Sequence, residues 1–198
     1  MGGHINIGIV YSDEDIYKLN DDKQSIINYF SLFSNRIVVN YPVDDTFQKW
    51  EEKRFEGQSG LIQAFEILNS QNMALGKMFC KIHNKDCYIL VSIRKCKDKF
   101  KGILIEIAES DLLKEEYSRE DLDDIENKIL VKLIEIWKVT NFSYAFCDSD
   151  ADIEYQLSEI EDNKGSEYSM VLLKDNLNDL VICLNSWCID GITGRKIK

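Results

Sequence analysis

Between residues 74 and 109 lie three apolar runs, "ALGKMFCKI", "CYILVSIRKC" and "KGILIEIAE", separated only by the polar links "HNKD" and "KDKF". Adjacent parallel strands need a crossover of roughly a dozen residues or more, whereas a short polar link suffices for a hairpin. The three runs are therefore expected to pair as an antiparallel meander at the centre of a sheet. Alternation in the third run is incomplete, which implies that helices cover one face of that sheet.

The remaining elements assemble around this meander. "HINIGIVY", "RIVVNY", "NFSYAFCDSD", "YSMVLLK" and "LNDLVICLNSW" read as further strands, the second stopped by Pro42 because proline cannot donate to a central ladder. Asp21 or Asp22 is expected to cap a helix running to about Ser34 with Ile26, Ile27, Phe30 and Phe33 on one face. "DDTFQKWEEKRF" places Phe47, Trp50 and Arg54 at helical spacing, and a shorter helix capped by Ser59 follows with Leu61, Ile62, Phe65 and Leu68. The longest helix opens on Ser118 and Asp121 as a capping box and carries Leu122, Ile125, Ile129, Leu133, Ile136 and Trp137 as an apolar stripe. Ile153, Leu157 and Ile160 fit a short helix capped by Asp152. The expected fold is α+β: a single domain over residues 1–198, with a mainly antiparallel, mixed central sheet and helices packed on it. No linker, repeat or low-complexity tract marks a second domain.

Charge narrows the function. The 198 residues include 24 basic and 35 acidic side chains, for a formal net charge of −11. Phosphate backbones and anionic headgroups are held by Lys and Arg, so neither nucleic acid nor membrane is an expected direct partner. A basic protein surface would be attracted, and that attraction would weaken with salt. No stretch approaches the roughly 18 apolar residues of a membrane span. The opening "MGGHINIGIVYSDED" lacks a basic region and a cleavage site, and Asn6 stands where a myristoylation signal wants Ser or Thr. The six cysteines form no C-x-x-C pair and lie in apolar runs, as buried, reduced thiols of a cytoplasmic protein would.

"DSDADIEYQLSE" at 148–159 comes closest to a ligand motif: Asp148, Asp150, Asp152 and Glu159 match the oxygen positions of a calcium loop. The sixth position, which wants glycine, is Ile153, and the helical spacing that follows favours a solvated helix start over a cation site. No metal and no cofactor is expected. A second acidic cluster, with Glu115, Glu116, Glu120, Asp123, Asp124 and Glu126, opens the long helix, where carboxylates complement the helix dipole. "GQSG" at 57–60 misses the nucleophile-elbow spacing by one residue, and neither phosphate-loop glycine pattern occurs. His83 beside Cys80 and Cys87 is the one candidate nucleophile and base pair, without a third group to orient it.

With its opening "HINIGIVYSDED", its closing "LNSWCIDGITGRK", its size and its acidity, the chain resembles the immunity proteins of bacterial polymorphic and contact-dependent toxin systems. That resemblance implies a non-enzymatic cytoplasmic protein that binds and blocks the C-terminal toxic domain of a cognate effector. Where the toxin is a nuclease, its cleft is basic, and an acidic inhibitor suits it. The candidate contact residues are Asp148, Asp150, Asp152, Glu154, Tyr155, Glu120, Asp123 and Asp124; Tyr155, Tyr117 or Trp187 is the candidate aromatic anchor, against the alternative that each packs in the core or at its rim. The alternative is a small cytosolic enzyme or ligand-binding domain with a pocket around Cys80, Cys87 and His83.

Overall fold

The computed structural model describes residues 3–12, 15–44, 46–71, 73–82, 85–96, 99–174 and 179–195. Along the chain come β1 (His4–Ser12), α1 (Lys18–Ser31), β2 (Arg36–Pro42), β3 (Trp50–Glu56), α2 (Gly57–Ser70), β4 (Leu75–Ile82) and β5 (Lys85–Cys96). Then follow β6 (Phe100–Ala108), α3 (Glu109–Leu112), α4 (Arg119–Trp137), β7 (Tyr144–Ser149), α5 (Leu157–Asp162), β8 (Met170–Lys174) and β9 (Leu180–Leu184). The nine described strands form one sheet in the order β3-β2-β4-β5-β6-β1-β7-β8-β9. Every pair in it is antiparallel, so the fold is α+β as expected, without the parallel component of a mixed sheet among the described residues.

The expected meander is β4-β5-β6, in a register that sets Cys80 opposite Cys87 and Val91 opposite Ile105. Strand β1 inserts between β6 and β7, and side-chain alternation sends its residues to two different cores. Ile5, Ile7, Ile9 and Tyr11 join the larger core with Leu19 and Ile26 of α1, Leu61 and Phe65 of α2, and Leu122, Ile125 and Leu133 of α4. Val10, on the opposite face, joins Phe100, Leu104, Tyr144, Phe146, Ile153, Ile160, Tyr168 and Val171. Helices therefore cover one face, and the chain between β7 and β8 covers the centre of the other.

Two glycines admit that second cover. A Cβ on Gly8 would stand 2.0 Å from the Phe146 ring, and one on Gly102 would stand 2.6 Å from the Ile153 Cδ1. The bare backbone lets both side chains settle onto β1 and β6, and Phe146 then stacks on Tyr168 at 3.8 Å between centroids.

Local differences from the sequence reading have tertiary causes. Residues 50–56 form strand β3 and not a helix, because β2 has an open edge that accepts them in register, with Val39 opposite Lys53 and Tyr41 opposite Glu51. Tyr41 donates to Glu51 at 2.6 Å, and the charged "WEEKRFE" sequence suits a sheet edge that must resist further pairing. Asp22 does not cap α1. It is buried and accepts from the Tyr11 hydroxyl at 2.9 Å and from the Asn141 backbone and side-chain N–H groups at 2.5 and 2.9 Å, tying β1, α1 and the entry to β7 together. Helix α2 starts at Gly57 without a side-chain cap, so Ser59 lies inside it. The box at α4 is present as read: the Asp121 N–H donates to the Ser118 hydroxyl oxygen at 3.1 Å, and the Ser118 N–H donates to the Asp121 carboxylate at 2.9 Å.

In an open strand, Gly→Ala is mildly favourable. At Gly8 the Phe146 ring reverses the sign. Gly8→Ala is expected to lower unfolding free energy by about 1–3 kcal/mol in urea titrations, the range for overpacking a filled core.

Candidate functional site

The acidic segment 148–159 does not present one face. Asp148, at the end of β7, points inward and is 8% exposed. Its carboxylate accepts from the Ser149 N–H at 2.8 Å, the Ser169 N–H at 2.9 Å and the Trp187 indole N–H at 3.1 Å. Burial pushes its pKa up from the ordinary carboxylate value, opposed by these donors and by Arg195. Asp150 follows in the left-handed region at φ +46, fixed from both sides: its N–H donates to the His4 carbonyl and its carboxylate accepts from the His4 N–H, each at 2.8 Å. Asp152 turns back to accept from the Ile153 N–H at 2.8 Å and pairs with Arg94 at 3.2 Å. Helix α5 begins only at Leu157, so Asp152 is not its cap; the Glu159 carboxylate accepts from the N–H of the capping residue Gln156 at 2.9 Å. The residues at calcium-loop positions are thus engaged apart from one another, and no group of three or more His, Cys, Asp or Glu suited to a metal occurs among the described residues.

Glu154 is exposed, whereas Tyr155 is half-buried with its ring edge-on to Tyr168 at 5.7 Å. Of the other anchor candidates, Trp187 is occupied by Asp148, and Tyr117 donates to Asp190 at 2.9 Å. Burial and that bond push the Tyr117 phenol up to about 12.

On α4, Glu120 and Asp124 are exposed, Asp123 pairs with Arg119 at 2.7 Å, and Asp124 pairs with Lys128 at 2.5 Å. This helix lies on the face opposite Ile153, so the two predicted acidic clusters do not merge into one patch. Glu126 departs from the solvated reading. It is buried, accepts from the Ile189 N–H at 3.0 Å and pairs with Arg195 at 2.7 Å. Arg195 also donates to the carbonyls of Ser169 and Asn185 at 2.9 and 2.7 Å, locking the chain after β9 against β8 and α4. The sequence does carry a signal for this: Glu126 stands four residues after Leu122 and three before Ile129, on the apolar stripe itself.

His83 of the Cys/His pocket lies outside the described residues. Cys80 and Cys87 face each other across β4 and β5 with sulfurs 3.4 Å apart, bordering a cavity of about 790 Å³ with Phe33, Arg36 and Phe79. Burial, followed by the Cys87 contact, pushes the Cys80 thiol up to about 12, which is the reverse of an activated nucleophile. The neighbouring open sheet surface is basic and aromatic, with Arg36 over Phe79 at 4.3 Å and Lys77 over Tyr88 at 3.5 Å.

The sequence reading missed a small cavity of about 360 Å³ at the start of β1, bordered by His4, Asn6, Leu104, Glu106, Asp150 and Asp152. It gathers carboxylates from β6 and from the turn after β7 around the buried Asn6. The register of β1 against β6 and β7 creates it, setting Asn6 opposite both Glu106 and Asp148.

Residues 1–195 match the family model of an immunity protein. The chain belongs to that family, Immunity protein 64. No curated protein and no solved structure matches it. No helix among the described residues is long and apolar enough to cross a membrane.

Removing the Asp148 carboxylate strands the Trp187 and Ser169 donors, so Asp148→Ala is expected to lower stability by about 1–3 kcal/mol. The exposed Glu154→Gln should stay within about 0.5 kcal/mol. Because the folded pKa of Asp148 is raised, its proton-linked contribution is complete below the unfolded value and is lost as pH rises through the folded one. The deficit of Asp148→Ala relative to wild type, measured by urea unfolding at matched pH, should therefore be larger in acid than at neutrality.

Proposed function

We propose that this chain protects the cell that makes it by docking, in the cytoplasm and without covalent chemistry, on the toxic domain of a cognate protein. The observation that carries this reading is the family match over residues 1–195. The net charge of −11 supports a basic toxin domain, as a nuclease with a polyanion-binding cleft would be. Exposed Glu120, Asp124 and Glu154 supply steering charge, while the closed hydrogen bonding of Asp148, Trp187 and Tyr117 holds the surface in shape before contact. A preshaped surface avoids ordering cost on binding.

Mixing the chain with the inactivated toxin domain should give a complex whose association rate falls steeply with salt. Neutralising Glu120 and Asp124 together (Glu120→Gln with Asp124→Asn) should slow association by about threefold to tenfold at low salt and by little at high salt. Stopped-flow association rates and survival of cells expressing the active toxin test this. Absence of both a complex and protection would defeat the reading.

A further inference from the structure

We infer that the cavity at the start of β1 is the seat for one cationic side chain of the toxin, a lysine or an arginine; this rests on the docking reading above. The cavity presents acceptors with too few donors. Glu106, Asp150 and Asp152 supply three carboxylates, and among the described residues Arg94 pairs with two of them, 3.7 Å from Glu106 and 3.2 Å from Asp152. Asp150 keeps 65% of its side-chain surface exposed, with His4 Nδ1 3.8 Å away.

Asn6 is an independent sign of a missing partner. It is 6% exposed, and its Nδ2 donates to the Ala151 carbonyl at 2.6 Å, which fixes which way the amide is turned. Its Oδ1 is buried with no hydrogen bond among the described residues, in a side chain that borders the cavity. A buried acceptor without a donor is unfavourable, so a small turn of Asn6 that brings Oδ1 to a donor in the cavity is favoured. An ammonium or guanidinium brings several donors and a positive charge together. Bare metal suits the cavity less well, since two of the carboxylates are already turned to Arg94.

Position separates this seat from the general acidic field. Glu106→Gln with Asp150→Asn removes two charges at the cavity, and Glu120→Gln with Asp124→Asn removes two on α4. Against the inactivated toxin domain, the cavity pair should raise the dissociation rate by about tenfold or more, whereas the α4 pair should act on association alone. Thermal melts of both pairs confirm folding before binding is read. Replacing the toxin's lysines and arginines by glutamine one at a time, in cycles with the cavity pair, should show one position whose effect disappears in the cavity variant. An unchanged dissociation rate, or no coupled cation, overturns the seat while leaving docking intact. Failure of the wild-type chain to bind overturns docking and the seat together.

Discussion

Burial of β1 on both faces is the constraint on which the remaining structure depends. A strand paired on both edges and covered on both sides has nowhere to put a polar side chain unless it is bonded, and β1 obeys this with Ile5, Ile7, Ile9 and Tyr11 on one side and Val10 on the other. Its polar exceptions each have a structural consequence. The Tyr11 hydroxyl reaches Asp22, and Ser12 receives the Ser143 hydroxyl and the Leu157 N–H. Asn6 satisfies only half of its amide, at the edge of the cavity that the register of β1 creates.

Charge in this protein is more ordered than its net value suggests. Asp22, Asp148 and Glu126 are buried and each accepts from several donors, so part of the acidity is structural and silent toward a partner. Breaking such a buried set leaves polar atoms unpaired in low dielectric, whereas an exposed pair such as Asp124 with Lys128 contributes little. Exposed carboxylates lie after the turn beyond β7, on α5, at the start of α4 and on the edge strand β3. On β2 and β4, Arg36 and Lys77 lie over aromatic rings.

Much of the fold could be read from local pattern. The meander, the outer strands and the capping box of α4 follow from period-two runs, short links and a Ser118 to Asp121 spacing, all of which involve neighbours in the chain. Strand β3 could not, because Phe47, Trp50 and Arg54 fit helical spacing equally well and only the free edge of β2 decides between the two. The site was read in part. Asp150 and Asp152 stand out by their spacing, but Arg94 reaches Asp152 across 58 residues, Asn6 reaches Ala151 across 145, and Glu106 joins through its pair with Arg94. Asp148, identical in kind to its neighbours, is turned inward by strand alternation at the end of β7.

By itself the sequence determined the antiparallel pairing, the long amphipathic helix and the sign of the field around the molecule, because each depends on composition or on spacing within one segment. Only the tertiary structure decided which carboxylates face solvent, which lock Trp187 and Arg195, and where three of them converge beside an unsatisfied amide. Those outcomes depend on the register of β1 between β6 and β7, and register is set by how both cores fill at once, a condition no single segment contains.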